Sequence, residues 1–131
     1  MEILERLKSL IENPTTEDIE KLEELSREVQ DYCNEYGVSV SNITVYDTCL
    51  VFIISVPMKS DINSDRGFEM AGIYLANTFK THICEVLNRL EIKEFSKLRV
   101  KINYTINNKL NWSKENSIES NNDDTNNKEA L

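Results

Sequence analysis

The run Cys49-Leu50-Val51-Phe52-Ile53-Ile54-Ser55-Val56 decides how the rest of this chain has to fold. It is apolar at nearly every position, too short for a helix of its own, and it stops at Pro57. A half-exposed strand alternates apolar and polar residues. A continuous apolar run therefore predicts a strand buried on both faces. A chain of 131 residues has few elements with which to cover two faces of a sheet. The run implies either helices wrapped round both sides or a second copy on the side that the helices leave open.

On its N-terminal side, Ile43 and Val45 share one face of a preceding strand, while Val38 and Val40 are out of phase with them. A bulge near Ser41-Asn42 reconciles the two phases, and Tyr46-Asp47-Thr48 is the expected hairpin turn. Further back lie two amphipathic helices. The first covers residues 2–12, with Ile3, Leu4, Leu7, Leu10 and Ile11 on one stripe, and stops at Asn13-Pro14 because proline disfavours helical geometry in the residue before it. The second starts at the N-cap Thr15, with Asp18 placed to complete a capping box. Its stripe is Ile19, Leu22, Leu25, Val29, Tyr32, Cys33 and Tyr36, and Gly37 supplies the left-handed stop. Glu17→Lys21 and Glu23→Arg27 are spaced as i,i+4 ion pairs.

On its C-terminal side, a polar loop leads to a third helix over residues 66–90, apolar around much of its circumference. Leu98, Val100, Ile102, Tyr104 and Ile106 then alternate with Arg99, Lys101, Asn103 and Thr105, the pattern of a strand with one buried face. A short fourth strand at Leu110–Trp112 can follow. From residue 113 the chain is rich in Asn, Ser, Asp and Glu, and is expected to be disordered or peripheral. The reading is a single α+β domain over 1–112, in the order α-α-β-β-α-β, with a three- or four-stranded sheet packed by helices and a polar tail over 113–131. Roadblock-type dimerisation modules, alkaline-shock-type proteins and KH-like domains share a helix–hairpin–helix–strand core. That likeness is one of element order only; the phosphate-gripping GXXG loop of KH domains is absent, and no motif residue ties the chain to any of the three.

The formal net charge is -8, and the acids are concentrated in the first half. Such a surface repels nucleic-acid backbone and anionic lipid and suits a basic protein partner. The acidic start, Met1-Glu2-Ile3-Leu4-Glu5, is unlike a secretory signal, and no apolar run approaches the length of a membrane helix. Cys33, Cys49 and Cys84 all sit at apolar positions, far apart, and read as reduced thiols of a cytoplasmic protein. The Asn, Ile, Lys and Ser content is that of an AT-rich genome.

Three patterns compete for a chemical role. Asp61, Asn63 and Asp65 before Gly67 imitate the first half of a calcium loop, but the glycine falls one place late and no bidentate Glu follows at the required position. These are the weak metal candidates; turn chemistry explains the same residues. His82, the single histidine, has Glu85 one turn on but no second ligand nearby in sequence. Arg89, Lys93, Lys97, Arg99 and Lys101 form the one basic cluster, a candidate for phosphate or nucleic acid that the net charge argues against. No glycine-rich phosphate loop occurs, no cofactor is implied, and nothing gives positive evidence for catalysis.

The function expected is protein binding without catalysis, by a homodimer, as an adaptor or as an inhibitor of viral or mobile-element origin. The contact residues expected are Glu17, Glu20, Glu24, Glu28 and Asp31 on the acidic helix and Phe52 and Ile54 on the apolar strand. The alternative is a small enzyme or nucleotide-binding protein that brings the 61–67 loop, His82 and the basic strand face into one pocket.

Overall fold

The computed structural model describes residues 2–58, 66–106, 109–112 and 119–121. Three helices, α1 (Ile3–Ser9), α2 (Thr16–Tyr36) and α3 (Arg66–Arg89), pack on a mixed sheet of β1 (Ser39–Tyr46), β2 (Cys49–Pro57), β3 (Lys97–Ile106), β4 (Lys109–Trp112) and β5 (Glu119–Asn121). The α-α-β-β-α-β order and the α+β class are those expected. The tail adds one strand more: residues 119–121 pair with β3, while 113–118 and 122–131 lie outside the described residues.

Local chemistry sets the element ends. Thr15 and Asp18 form the capping box in both directions, at 3.1 and 2.9 Å, and Gly37 closes α2 at φ 67°. The first helix is shorter than expected. It ends at Ser9, and the amides of Leu10 and Ile11 bond back three residues, to Leu7 and Lys8, in a tightened last turn. Glu17 pairs with Lys21 at 3.6 Å, but Arg27 turns to Glu24 rather than to Glu23. The bulge falls between Val40 and Asn42, and the Ser41 hydroxyl donates to the Ile53 carbonyl at 3.1 Å. The hairpin turn is Asp47-Thr48, both left-handed, at φ 51° and 61°. A β-branched residue is strained there. Thr48 is tied down by its hydroxyl contact with Ser96 Oγ at 2.6 Å and by its carbonyl, which accepts from the Ser96 amide at 3.0 Å.

β2 is central, antiparallel to β1 and parallel to β3, with α3 as the crossover between the parallel pair. Register lines up Ile43 with Phe52 and Val100, and Val40 with Ile54 and Ile102. This phase, together with Leu50, Leu98 and Tyr104, joins Ile3 and Leu7 of α1, Leu22, Leu25 and Val29 of α2, and Phe79, Ile83 and Val86 of α3 in one core. All three helices therefore lie on one face.

The apolar strand is not buried on both faces. Leu50, Phe52 and Ile54 are fully buried, but Val51 and Ile53 are only half-buried and belong to no core cluster. Cys49, on that second face, is buried yet also stands outside the core. The helices are too few to cover both sides, and the crossover places its helix on the side already occupied by α2.

The outer strands are β1 on one side and β4 and β5 on the other. On β1, Asn42 Oδ1 accepts from the Ile43 amide at 2.9 Å, and Arg6 Nε donates to the Ile43 carbonyl at 2.6 Å. A charged side chain over an edge carbonyl disfavours strand addition at that residue. Along the far side of β3, β4 pairs with residues 104–106 and β5 with residues 99–101.

Two expectations follow. Phe52→Ala should cost about 3–5 kcal/mol, and Phe52→Asp should abolish folded protein, whereas Ile53→Asp should leave circular dichroism and cooperative melting intact; loss of folding by both aspartates would contradict one-sided coverage. Gly37→Ala should destabilise by about 1–2 kcal/mol through its left-handed backbone, since no atom lies within 4 Å of the added methyl; unchanged denaturant midpoints would show that this turn can relax.

Candidate functional site

Two surfaces result from one-sided packing. The first is a furrow between α2 and α3, enclosing about 330 Å³. Its floor is Val29, Ile83 and Val86, all buried core residues. Its wall is aromatic. The Tyr32 ring lies 3.9 Å from the His82 ring centroid and stacks on Tyr36 at 5.5 Å and 7°, with Phe79 behind at 5.4 Å. Its rim carries Glu28, Glu85 and Arg89, and Arg89 reaches across from α3 to pair with Glu28. A shallower hollow continues past His82 over Tyr74, Asn77 and Thr78. Tyr74 is 69% exposed and Tyr36 40%; Met70, also exposed, lies outside both hollows.

The second surface is the open face of the sheet. β2 contributes Val51 and Ile53, β3 the row Lys97, Arg99 and Lys101, and β1 Thr44 and Tyr46, the last 78% exposed. A hollow of about 140 Å³ lies between Tyr46, Asp47, Cys49, Val51, Lys97 and Arg99. On the same face, beside Ser55, Asn103 keeps its Oδ1 buried with no hydrogen-bond partner.

The expected contact residues divide between these surfaces and the core. Glu28 lines the furrow, and Glu17, Glu20, Glu24 and Asp31 lie along the outer side of α2, with Glu17, Glu24 and Glu28 held in ion pairs. Phe52 and Ile54 are fully buried under the helices and are withdrawn as contact residues; the accessible phase of β2 is Val51 and Ile53. The basic cluster splits. Arg89 belongs to the helical layer, Lys93 is exposed in the connection to β3, and Lys97, Arg99 and Lys101 lie on the opposite face of the sheet.

That split also separates the parts of a single enzymatic or nucleotide pocket. His82 faces α2, and the sheet stands between it and Arg99 and Lys101. Asp61, Asn63 and Asp65 lie outside the described residues; Gly67 is in the first turn of α3. Among the described residues no group of three His, Cys, Asp or Glu side chains is placed to hold a metal ion, and no helix is long and apolar enough to cross a membrane. The pairing of Tyr32 with His82 was not legible in sequence. The breadth of the apolar surface of α3 was a signal that some of it, here Met70 and Tyr74, faces outward. No protein-family model, curated protein or solved structure matches the chain.

The titratable groups inside the fold are structural. Burial pushes the Cys33 thiol up from its ordinary 9.0 to about 11. Burial likewise raises Tyr104, whose hydroxyl donates to the Phe68 carbonyl at 2.5 Å. None of the three cysteines is in a disulfide; Cys84 is half-buried and the other two are buried. We expect iodoacetamide at neutral pH to modify Cys84 first in the folded protein and Cys33 only on unfolding, read by peptide mass spectrometry. Folding holds the Cys33 proton more tightly than the unfolded chain does, so its contribution is intact below pH 9 and is lost as pH climbs towards 11. Rapid alkylation of native Cys33 would show that α2 opens locally.

Proposed function

We propose that this chain is a non-catalytic protein-binding module, an adaptor or inhibitor, that pairs with a second copy of itself through the open sheet face and presents its acidic helical layer to a basic protein. The observation that carries this reading is the one-sided coverage of the sheet. The central strand offers Val51 and Ile53 outward, and stacking of one sheet on another covers such a face.

The face is suited to a two-fold contact. With the axis running along β2, Val51 and Ile53 meet their own counterparts, and the cations of β3 lie over β1 of the other copy. There Tyr46 offers a ring and Asp47 a carboxylate, so cation does not meet cation. Pairing by this face leaves α2 outward, where its acids speed encounter with a basic surface. Three cysteines outside any disulfide suit a reducing, cytoplasmic setting.

Light scattering at micromolar concentration tests the reading. The native chain should run at twice the monomer mass, and Ile53→Asp at the monomer mass with an unchanged circular dichroism spectrum. A native chain that stays monomeric sinks the homodimer.

A further inference from the structure

We infer that the furrow between α2 and α3 is an anchor pocket for an arginine side chain of the partner protein. This rests on the protein-binding reading above and supplies its site and its chemistry.

The cavity, about 330 Å³, is at the lower end of the ~300–1,000 Å³ usual for small-molecule sites and is a cleft between two helices. One long side chain fits such a space better than a cofactor does. Its wall is a flat ring held still: Tyr32 is packed by His82 on one side and by Tyr36 on another. The aliphatic stem of a long side chain lies on an apolar floor like that of Val29, Ile83 and Val86, and its planar head stays at the rim beside the packed aromatic wall.

The rim supplies the charge. Glu28 is already held towards a guanidinium, that of Arg89, which shows that α2 aims a carboxylate across the furrow. Glu85, one turn before Arg89, lines the same cavity and makes no ion pair among the described residues. An entering guanidinium meets it in the forked geometry that carboxylates favour. Lysine lacks the fork for the carboxylate. The surrounding acids of α2 give the approach the matching sign.

The test is a titration of the isotope-labelled full chain with acetyl-Gly-Arg-Gly-amide, followed by amide and aromatic NMR shifts. The citrulline peptide, equal in shape and uncharged, is the control, and the lysine peptide the comparison. Saturable shifts confined to residues 28–36 and 79–89 are expected, including the Tyr32 and His82 rings. Binding of citrulline and lysine should be weaker by about 10-fold, in line with the loss of a charge-assisted, bidentate contact. Glu85→Gln should weaken arginine binding similarly, while Glu12→Gln, in the link between α1 and α2, should not change it.

Shifts spread over the acids of α1 and α2 would overturn the inference, as would equal binding of citrulline or lysine, or no saturable site at millimolar peptide. None of these outcomes alters the light-scattering result, so a failed pocket leaves the sheet-face reading standing, and a monomeric native chain leaves the pocket standing.

Discussion

Everything in this fold depends on the alternation of β2. Leu50, Phe52 and Ile54 point into the core and Val51 and Ile53 point away from it, although all five are apolar. The first three are the residues on which α1, α2 and α3 converge. Because β2 is parallel to β3, the chain has to cross over the sheet between them, and α3 is that crossover. The crossover joins the face that α2 already covers, where Phe79, Ile83 and Val86 bury against Val29 and Phe52 in a single cluster. Covering one face well leaves the other with half-buried aliphatic residues.

Charge is segregated along the same line. The helical layer holds Glu17, Glu20, Glu24, Glu28 and Asp31, and the open sheet face holds Lys97, Arg99 and Lys101. The sheet lies between them, so the molecule presents a negative layer on one side and a basic row on the other. A protein of this kind has two different surfaces to offer, and they suit partners of different character. The sheet edges are only partly covered. Arg6 caps the Ile43 carbonyl on β1, and β4 and β5 pair along β3.

Much of the local structure was legible because its causes are local. Thr15 and Asp18 cap α2 wherever that helix packs, Gly37 ends it because glycine tolerates φ 67° without a Cβ, and the phase conflict between Val40 and Ile43 requires one extra residue at Ser41. Where two local solutions compete, spacing does not choose. Arg27 reaches both Glu23 and Glu24, and takes the latter. The candidate site was legible only in part. Its acids and its single histidine stood out, but the contact of Tyr32 with His82 joins residues fifty positions apart on two helices, and their separation along the chain carries no trace of it.

The sequence by itself determined the three helices, the first four strands and their order, the ends of α2, the bulge, the turn around Asp47-Thr48 and the α+β class, because hydrophobic period and capping chemistry act over a few residues; the pairing of residues 119–121 with β3 it did not. Tertiary structure alone decided which face of β2 is core, which acids meet a cation, and that the basic cluster divides between α3 and β3. Those outcomes depend on where the crossover places a helix. An apolar run such as 49–56 satisfies burial on either face, so its composition cannot say which face the helices take.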